Sequence, residues 1–268
     1  MQAFLQELAQ EIYSSHADLS KITVVFPNRR ATLYFRKYLG ELISKPVFSP
    51  KLLTFEDFVL GLSPLRVLDK LDLVYRLHQS YKETMGLEAE PFDQFFMWGE
   101  MLLRDFDETD RYMIDAKMLF ADLSSLKELD AGLDYLTEEQ ITFLKNFWQG
   151  FESELSVNKK KFLDVWKKLY PLYKNFNEQL SNDGLAYEGK QHRLVAEELL
   201  SGKIKLPYAA SEVKQLWFAG FNALTKAEEK IISFAVGQGF ATARWDTDQY
   251  YLNDESQEAG VFFRSYRH

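Results

Sequence analysis

The chain has 268 residues, of which 46% are hydrophobic, and a formal net charge of −8 at pH 7. This length allows a substantial buried core in one large domain or two closely joined ones, and the acidic balance argues against a general nucleic-acid-binding protein, whose surface is usually basic. The absence of cysteine excludes disulfides, thiolate metal sites and cysteine nucleophiles, and the absence of any run of 18 apolar residues leads us to expect a soluble cytoplasmic protein.

The first predicted elements are an amphipathic helix over residues 2–14 and a short β-branched strand over Ile22–Phe26. A polar loop, Pro27–Arg30, follows the strand. Ligands of open α/β sheets bind at the carboxyl ends of strands, and arginines beside a helix N-terminus attract anions. The two arginines of this loop are therefore candidate anion-binding residues, although no phosphate-binding loop of the GxxxxGK[ST] type accompanies them.

A second helix is predicted over Ala31–Ile43, and a short extended piece follows it at Pro46–Pro50. Thr54 with an acidic residue three positions later has the pattern of a helix N-cap, so a short helix should follow it and end near Leu62. Ser63-Pro64 breaks the pattern. Residues 1–64 therefore form the first part of the predicted α/β domain.

The middle of the chain, Leu65–Gly202, is almost wholly helical in its pattern, and Pro171 should kink one of its helices or begin a new one. Fifteen acidic and only four basic residues lie within Leu87–Gln140, a local charge of −11. The acidic stretch Glu100–Asp115 could be a partner-docking face or a mimic of DNA, but a solvent-exposed helix face is the simpler interpretation. We expect an all-helical insertion over residues 65–204.

Strand signals return at Val213–Phe221 and Phe240–Trp245, with a helix between them. Two strands joined by a helix form a βαβ unit, so the N-terminal and C-terminal pieces should share one parallel sheet. The predicted fold class is α/β, with residues 205–268 as the second part of the sheet domain. The acidic residues of Asp246–Asp248 and Asn253–Glu255 lack the glycine and glutamate positions of a calcium loop, and we expect no metal site.

Four segments of the chain resemble a known family in their order and spacing. They are Val24–Ala31, Pro50–Phe58, Glu100–Phe106 and Leu216–Glu228. Together they resemble the N-terminal helicase-like region of AddB-type subunits of ATP-dependent helicase–nucleases, and of relatives that end in a PD-(D/E)XK nuclease domain. The resemblance covers most of the chain, and it implies a RecA/UvrD-like domain with a helical insertion.

Two departures from this family concern its motor. The ATP-binding relatives carry a glycine-rich phosphate-binding loop before the first of these segments, whereas residues 1–20 contain no glycine. The acidic residue that would help to hold magnesium corresponds to Ala219, in a degenerate motor motif that also includes Gly220, Phe221 and Glu228. Because ATP hydrolysis needs both features, the resemblance implies an inactivated helicase-like domain without a cofactor.

By the same resemblance, Asn28, Arg29, Arg30 and Thr54 would contact the backbone of single-stranded DNA. The alternative is that an arginine caps or pairs within the edge of the sheet. The implied function is DNA repair and recombination, as a DNA-guiding or assembly scaffold beside an active helicase–nuclease partner subunit. We expect no catalytic residue in this chain, which we interpret as a fragment, and any nuclease activity would lie in a missing C-terminal part.

Two other interpretations remain open at this stage. The chain could be a protein-interaction module that acts through the acidic helical insertion. Alternatively, it could still bind ATP in an unusual way. A nuclease site within the chain itself is disfavoured, because no Pro-Asp dipeptide occurs in it.

Overall fold

The structure is a computed structural model that describes six segments of the chain, which are residues 3–121, 159–206, 216–239, 241–247, 249–254 and 257–265. The chain divides into two compact units, the first formed by residues 1–63 with 194–268 and the second by residues 64–193. The assignment of these units to a helicase-like domain and its insertion remains a prediction.

The described residues form the following helices and strands, numbered here in chain order: α1 Phe4–Ser15, β1 Thr23–Phe26, α2 Arg29–Leu42, β2 Lys51–Thr54, α3 Phe55–Leu60, β3 Arg66–Val67, α4 Lys70–Met85, α5 Phe92–Arg111, α6 Ala116–Ala121, α7 Lys159–Asn182, β4 Leu185–Ala186, α8 Glu188–Leu200, β5 Leu216–Ala219, α9 Lys226–Gly237, β6 Ala241–Arg244, α10 Gln249–Asn253 and α11 Val261–Ser265.

The first unit is built on a parallel sheet of four strands in the order β2-β1-β5-β6. Every residue of the two central strands is buried, as expected when helices cover both faces of a parallel sheet. In register, Val24 lies beside Trp217 and Trp217 beside Thr242. The prediction that the N-terminal and C-terminal strands share one parallel sheet is therefore confirmed.

The second strand lies later in the chain than predicted. The sequence interpretation placed an extended piece at Pro46–Pro50, whereas the strand is Lys51–Thr54 and pairs with Thr23–Phe26. A proline has no backbone N–H to donate, and the first ladder bond runs from the Lys51 amide to the Ile22 carbonyl oxygen at 2.8 Å. The strand therefore begins directly after the second proline of the predicted piece.

Helices pack on both faces of this sheet. On one face, Ile12 of α1 and Phe35 of α2 form a buried cluster with Trp217. On the other face, the ring of Phe58 in α3 meets that of Phe218 at a centroid distance of 5.5 Å. Helix α1 satisfies the amphipathic prediction for residues 2–14, with Leu8, Ala9 and Ile12 as its buried residues.

The second unit is mainly helical. Its helix α4 packs against α5 and α7, around a core of completely buried or nearly buried apolar side chains: Leu77, Phe95, Leu102, Phe106, Leu172 and Phe176. The unit also contains a parallel pair of two-residue strands, β3 and β4. The sequence interpretation missed this pair, because two residues are too few to show an alternating pattern.

The longest described helix of the second unit is α7, which continues through Pro171. Of the two expected outcomes, a kink or a new helix, the continuous helix excludes the second. Leu169 and Leu172 on either side of it are completely buried. Tertiary packing of this kind outweighs the loss of one helical hydrogen bond and holds the helix together.

Candidate nucleic-acid interface

The carboxyl ends of the four parallel strands form one edge of the sheet, at Phe26, Thr54, Ala219 and Arg244. From β1 the chain crosses to β2, and from β5 it crosses to β6, in the opposite direction along the sheet. The right-handed rule for such crossovers places α2 and α9 on opposite faces. The loops after β1 and β5 thus leave the sheet towards opposite faces, and ligands of open α/β sheets usually bind at such a point.

Two of the predicted site residues cap helices at this edge. The Asn28 side-chain oxygen accepts a hydrogen bond from the Ala31 amide at 3.0 Å, so Asn28 is the N-cap of α2. The Thr54 hydroxyl accepts from the Asp57 amide at 3.1 Å, and the Asp57 carboxylate accepts from the Thr54 hydroxyl at 2.9 Å. This capping box confirms the predicted N-cap at Thr54.

The residues of the degenerate motor motif also have structural roles. Gly220 has a φ of +75° directly after β5, and its amide donates to the Arg244 carbonyl oxygen at 3.0 Å. Only glycine adopts this left-handed conformation without strain, so the residue forms the turn out of the sheet. Ala219 is completely buried, and Phe221 packs its ring against that of Phe55 at 5.9 Å.

Glu228 is the fourth residue of the motif, and it lies in the first turn of α9. Its carboxylate accepts a hydrogen bond from the amide of Thr225 at 2.7 Å, and the Thr225 hydroxyl caps the same turn. The pair forms a second capping box at this edge of the sheet. The acidic group of Glu228 is therefore engaged in stabilising the helix N-terminus.

Arg29 and Arg30 lie within the first turn of α2, so the predicted loop is shorter than expected and ends at Asn28. Both side chains are exposed, and neither guanidinium has a hydrogen-bond or ion-pair partner in the described part of the chain. Cations at a helix N-terminus are disfavoured by the helix dipole. Helix stability therefore does not explain why two arginines occupy this position.

The exposed side of α2 extends this basic surface. Arg36 is exposed one to two turns further along the helix than Arg30. Two large side chains between these arginines, Leu33 and Tyr34, are 63% and 49% exposed. Sequence reasoning missed Tyr34 and Arg36. The helical phase of the buried Phe35 and Leu39 would have placed both on the outer face.

No protein-family model matches the chain, and no curated protein is significantly similar to it in sequence. The relationship to AddB-type subunits therefore remains a prediction that rests on the segments quoted above.

The negative charge is concentrated in the second unit. The first unit, residues 1–63 with 194–268, contains sixteen acidic and fifteen basic residues. The second unit, residues 64–193, contains twenty-four acidic and seventeen basic residues. The first unit is thus close to neutral. The overall charge of −8 consequently says little about the surface around α2, where the exposed arginines lie.

The acidic stretch Glu100–Asp115 is not a solvent-exposed helix face, and that interpretation is wrong. Asp110 is only 1% exposed and Asp105 only 8%, and of the six acidic residues in this stretch Asp115 alone is fully exposed. Burial raises the pKa of Asp105 to about 7. Two of these acidic residues are therefore buried and three are partly buried.

Asp110 is the centre of a buried polar network. Its carboxylate accepts hydrogen bonds from the hydroxyls of Tyr173, at 2.6 Å, and Tyr187, and from the Arg193 guanidinium at 3.2 Å. Burial is the main cause of the raised pKa of Asp110, and these three donors partly oppose it. The network joins α5 to α7 and α8, so its acidic group has a structural role.

A candidate metal site is not found among the described residues, because no three histidine, aspartate or glutamate side chains there come close enough to hold an ion. Asp248 and Glu255 of the acidic C-terminal motif lie outside those residues. Likewise, none of the described helices is long and apolar enough to cross a membrane.

Proposed function

We propose that the first unit is a helicase-like domain without a motor that guides single-stranded DNA along the carboxyl edge of its sheet. In this proposal the chain belongs to a DNA break-processing protein and works beside an active helicase–nuclease partner subunit. The observation that carries the proposal is the pair of exposed arginines, Arg29 and Arg30, in the first turn of α2 at the carboxyl edge of the sheet, where neither has a partner among the described residues.

The chemistry of this surface suits a single strand. One arginine guanidinium can donate two parallel hydrogen bonds to a phosphate group. Arginine and tyrosine side chains also stack on unpaired bases. Arg29, Arg30 and Arg36 supply the charge, and the half-exposed Tyr34 supplies an aromatic ring between them. Such a surface needs no sequence-specific contacts and would hold DNA by its backbone.

The absence of a motor belongs to the same proposal. Residues 1–20, where the resemblance would place the phosphate-binding loop, contain no glycine that would let backbone amides surround a triphosphate. Ala219 stands where motor relatives carry a magnesium-binding acid, and Glu228 is engaged in a capping box. A domain with these features would contribute binding and positioning of DNA, while a partner would supply the energy.

The other function considered, a protein-interaction module working through the acidic insertion, has less support from the described residues. Asp105 and Asp110 are buried, and Asp107 is paired with Arg111 at 2.6 Å. A docking face for a basic partner would need acidic groups in contact with solvent. The exposed cations of α2 therefore favour the nucleic-acid interpretation.

The test is fluorescence anisotropy of a labelled oligothymidine, titrated with the whole chain at several salt concentrations. The Arg29→Ala/Arg30→Ala variant should bind more weakly, and its dependence of log K on log salt should be flatter by about 0.7 for each lost phosphate contact. An ATP titration by calorimetry should show no saturable binding at micromolar concentration.

The matched control is Lys45→Ala/Lys51→Ala. This variant removes the same charge from two exposed lysines of the same unit, at the amino-terminal edge of the sheet where β2 begins. It should retain the affinity and the salt dependence of the wild type. Equal affinities and slopes for all three proteins would refute the proposal and leave the arginines without a role in DNA binding.

A further inference from the structure

The second unit contains an open groove of about 640 Å³ on one side of α5. Its apolar lining comes from the buried Leu73 and Tyr187 and from Trp98, Met97 and Met101. The two methionines are 72% and 41% exposed, and methionine adapts to differently shaped apolar partners. The groove therefore presents apolar surface that the described residues of this unit leave open to solvent.

Val67 of β3 and the adjacent Leu68 line this groove, and one edge of β3 is not occupied by any described strand. The amides of Arg66 and Leu68 donate to the carbonyl oxygens of Gly184 and Ala186, at 2.9 and 3.2 Å. Successive residues of a strand direct their backbone groups to opposite sides, so the amide and carbonyl of Val67 point away from β4. Among the described strands, β4 alone pairs with β3. The edge at Val67 can thus accept another strand.

The acidic groups around the groove already have partners. Glu100 accepts from the Lys70 ammonium at 2.8 Å. Asp107 and Glu188 both accept from the Arg111 guanidinium, at 2.6 and 2.5 Å. None of these three carboxylates can bind a ligand without breaking an existing ion pair.

Arg104 differs from the other charged residues of the groove. Its side chain is 69% exposed, and its nearest carboxylate is that of the adjacent Asp105, at 3.9 Å. This distance is too long for a hydrogen bond. Among the described residues that line the groove, Arg104 is therefore a cation whose donors are free, and it lies beside an apolar surface and a strand edge.

We propose that this groove binds an extended peptide segment of a partner protein, which pairs with β3. An apolar side chain of the peptide would contact Trp98 and Met101, and an acidic side chain nearby would bind Arg104. A strand edge favours a peptide over a small molecule, because it offers main-chain hydrogen bonds, and side-chain pockets then give the specificity. This proposal is independent of DNA binding by the first unit.

The test begins with selection from a random peptide display library, with the whole chain as bait. The enriched peptides should share one acidic residue close to an apolar or aromatic one. A labelled synthetic copy should bind the wild type, and Met101→Asp should weaken its binding by about tenfold or more, since a buried charge replaces an apolar contact. Arg104→Glu should reverse the charge preference of the groove. A peptide with lysine in place of the acidic residue should then bind this variant better than the original peptide does.

Two matched controls distinguish the groove from the rest of the unit. Met118→Asp changes an exposed methionine of α6, and Lys117→Glu reverses an exposed cation beside it; neither residue lines the groove. Both variants should bind the peptide as the wild type does. Thermal melting followed by circular dichroism confirms that the groove variants are folded, so that weaker binding reports the groove itself.

Backbone pairing is tested on the peptide. Methylation of the one amide nitrogen that faces β3 should abolish binding, whereas methylation of the next amide, which faces solvent, should change the affinity little. The proposal is overturned if the selected peptides share no pattern, or if groove and control variants bind alike. If laurate binds at the groove and no peptide is enriched in the selection, the peptide proposal is overturned. The groove is then a site for a small apolar carboxylate.

Discussion

The helix caps of the first unit and the buried polar network of the second join residues over very different distances along the chain. In the first unit, Asn28, Thr54 and Thr225 each bond to a group three residues away. In the second unit, the partners of Asp110 are 63, 77 and 83 residues away from it. Local bonds form with the helix that they cap, whereas the long-range bonds require the whole unit to be folded.

This contrast separates charges with structural roles from those left for binding. In the first unit the caps use neutral or locally paired groups, and the exposed arginines of α2 remain unpartnered in the described part of the chain. In the second unit most acidic groups of α5 are buried or paired. The net charge of a unit is therefore a poor guide to the charge that a ligand would meet.

The largest effect should come from Asp110→Ala. The change leaves the hydroxyls of the buried Tyr187 and the partly buried Tyr173, and the Arg193 guanidinium, without their shared acceptor. We therefore expect a loss of about 3–5 kcal/mol in the free energy of unfolding. Urea denaturation followed by circular dichroism measures it. Glu178→Ala, which removes an acidic group that is 61% exposed, should cost less than about 0.5 kcal/mol. Equal losses for the two variants would contradict a structural role for the network.

The second effect concerns pH and Asp105. Burial raises the pKa of this carboxyl to about 7, so the folded state keeps a proton that the unfolded chain releases near pH 4. The stability contributed by the carboxyl is present in full below pH 4 and is lost as the pH rises to about 7. Asp105→Asn should therefore become more stable than the wild type across this window, by up to about 4 kcal/mol at pH 7.

The measurement is the difference between the urea unfolding energies of the variant and the wild type at several pH values. Taking the difference removes the contribution of other groups, such as His192, whose pKa burial lowers to about 3 and which acts in the opposite direction. A difference for Asp105→Asn that does not change with pH would show that its carboxyl is not buried.

The smallest effect should come from Thr54→Ala in the first unit. It removes one cap from the short helix α3 and should cost about 1 kcal/mol, measured as a shift of the urea midpoint. Thr54→Ser keeps the hydroxyl that accepts from the Asp57 amide, so it should be close to the wild type. If serine were as destabilising as alanine, the methyl group and not the cap would be the stabilising feature.

Some features of the fold followed directly from the sequence. The central strands β1 and β5 are short runs of buried β-branched or aromatic residues, which is the pattern of a parallel sheet covered on both faces. The cap at Thr54 needs only residues three positions apart. By contrast, β2 was placed too early, since an extended proline-rich piece resembles a strand but cannot donate its hydrogen bonds.

The candidate interface was predicted in part. The position of Arg29 and Arg30 after a buried strand follows from sequence order, but their location inside α2 depends on where Asn28 caps the helix. The acidic residues of α5 were misjudged. Their partners Tyr173, Tyr187 and Arg193 lie far away in the chain, so no periodicity within α5 reveals that Asp110 is buried.

The sequence by itself thus determined the type of most strands and helices and the local caps, because each depends on residues within a few positions of one another. Only the tertiary structure decided which charges are buried or paired inside the protein and which face solvent. It also decided that β3 pairs with β4, which leaves one edge of β3 that no described strand occupies. These outcomes depend on contacts between residues distant in the chain, and the sequence pattern carries no record of such distances.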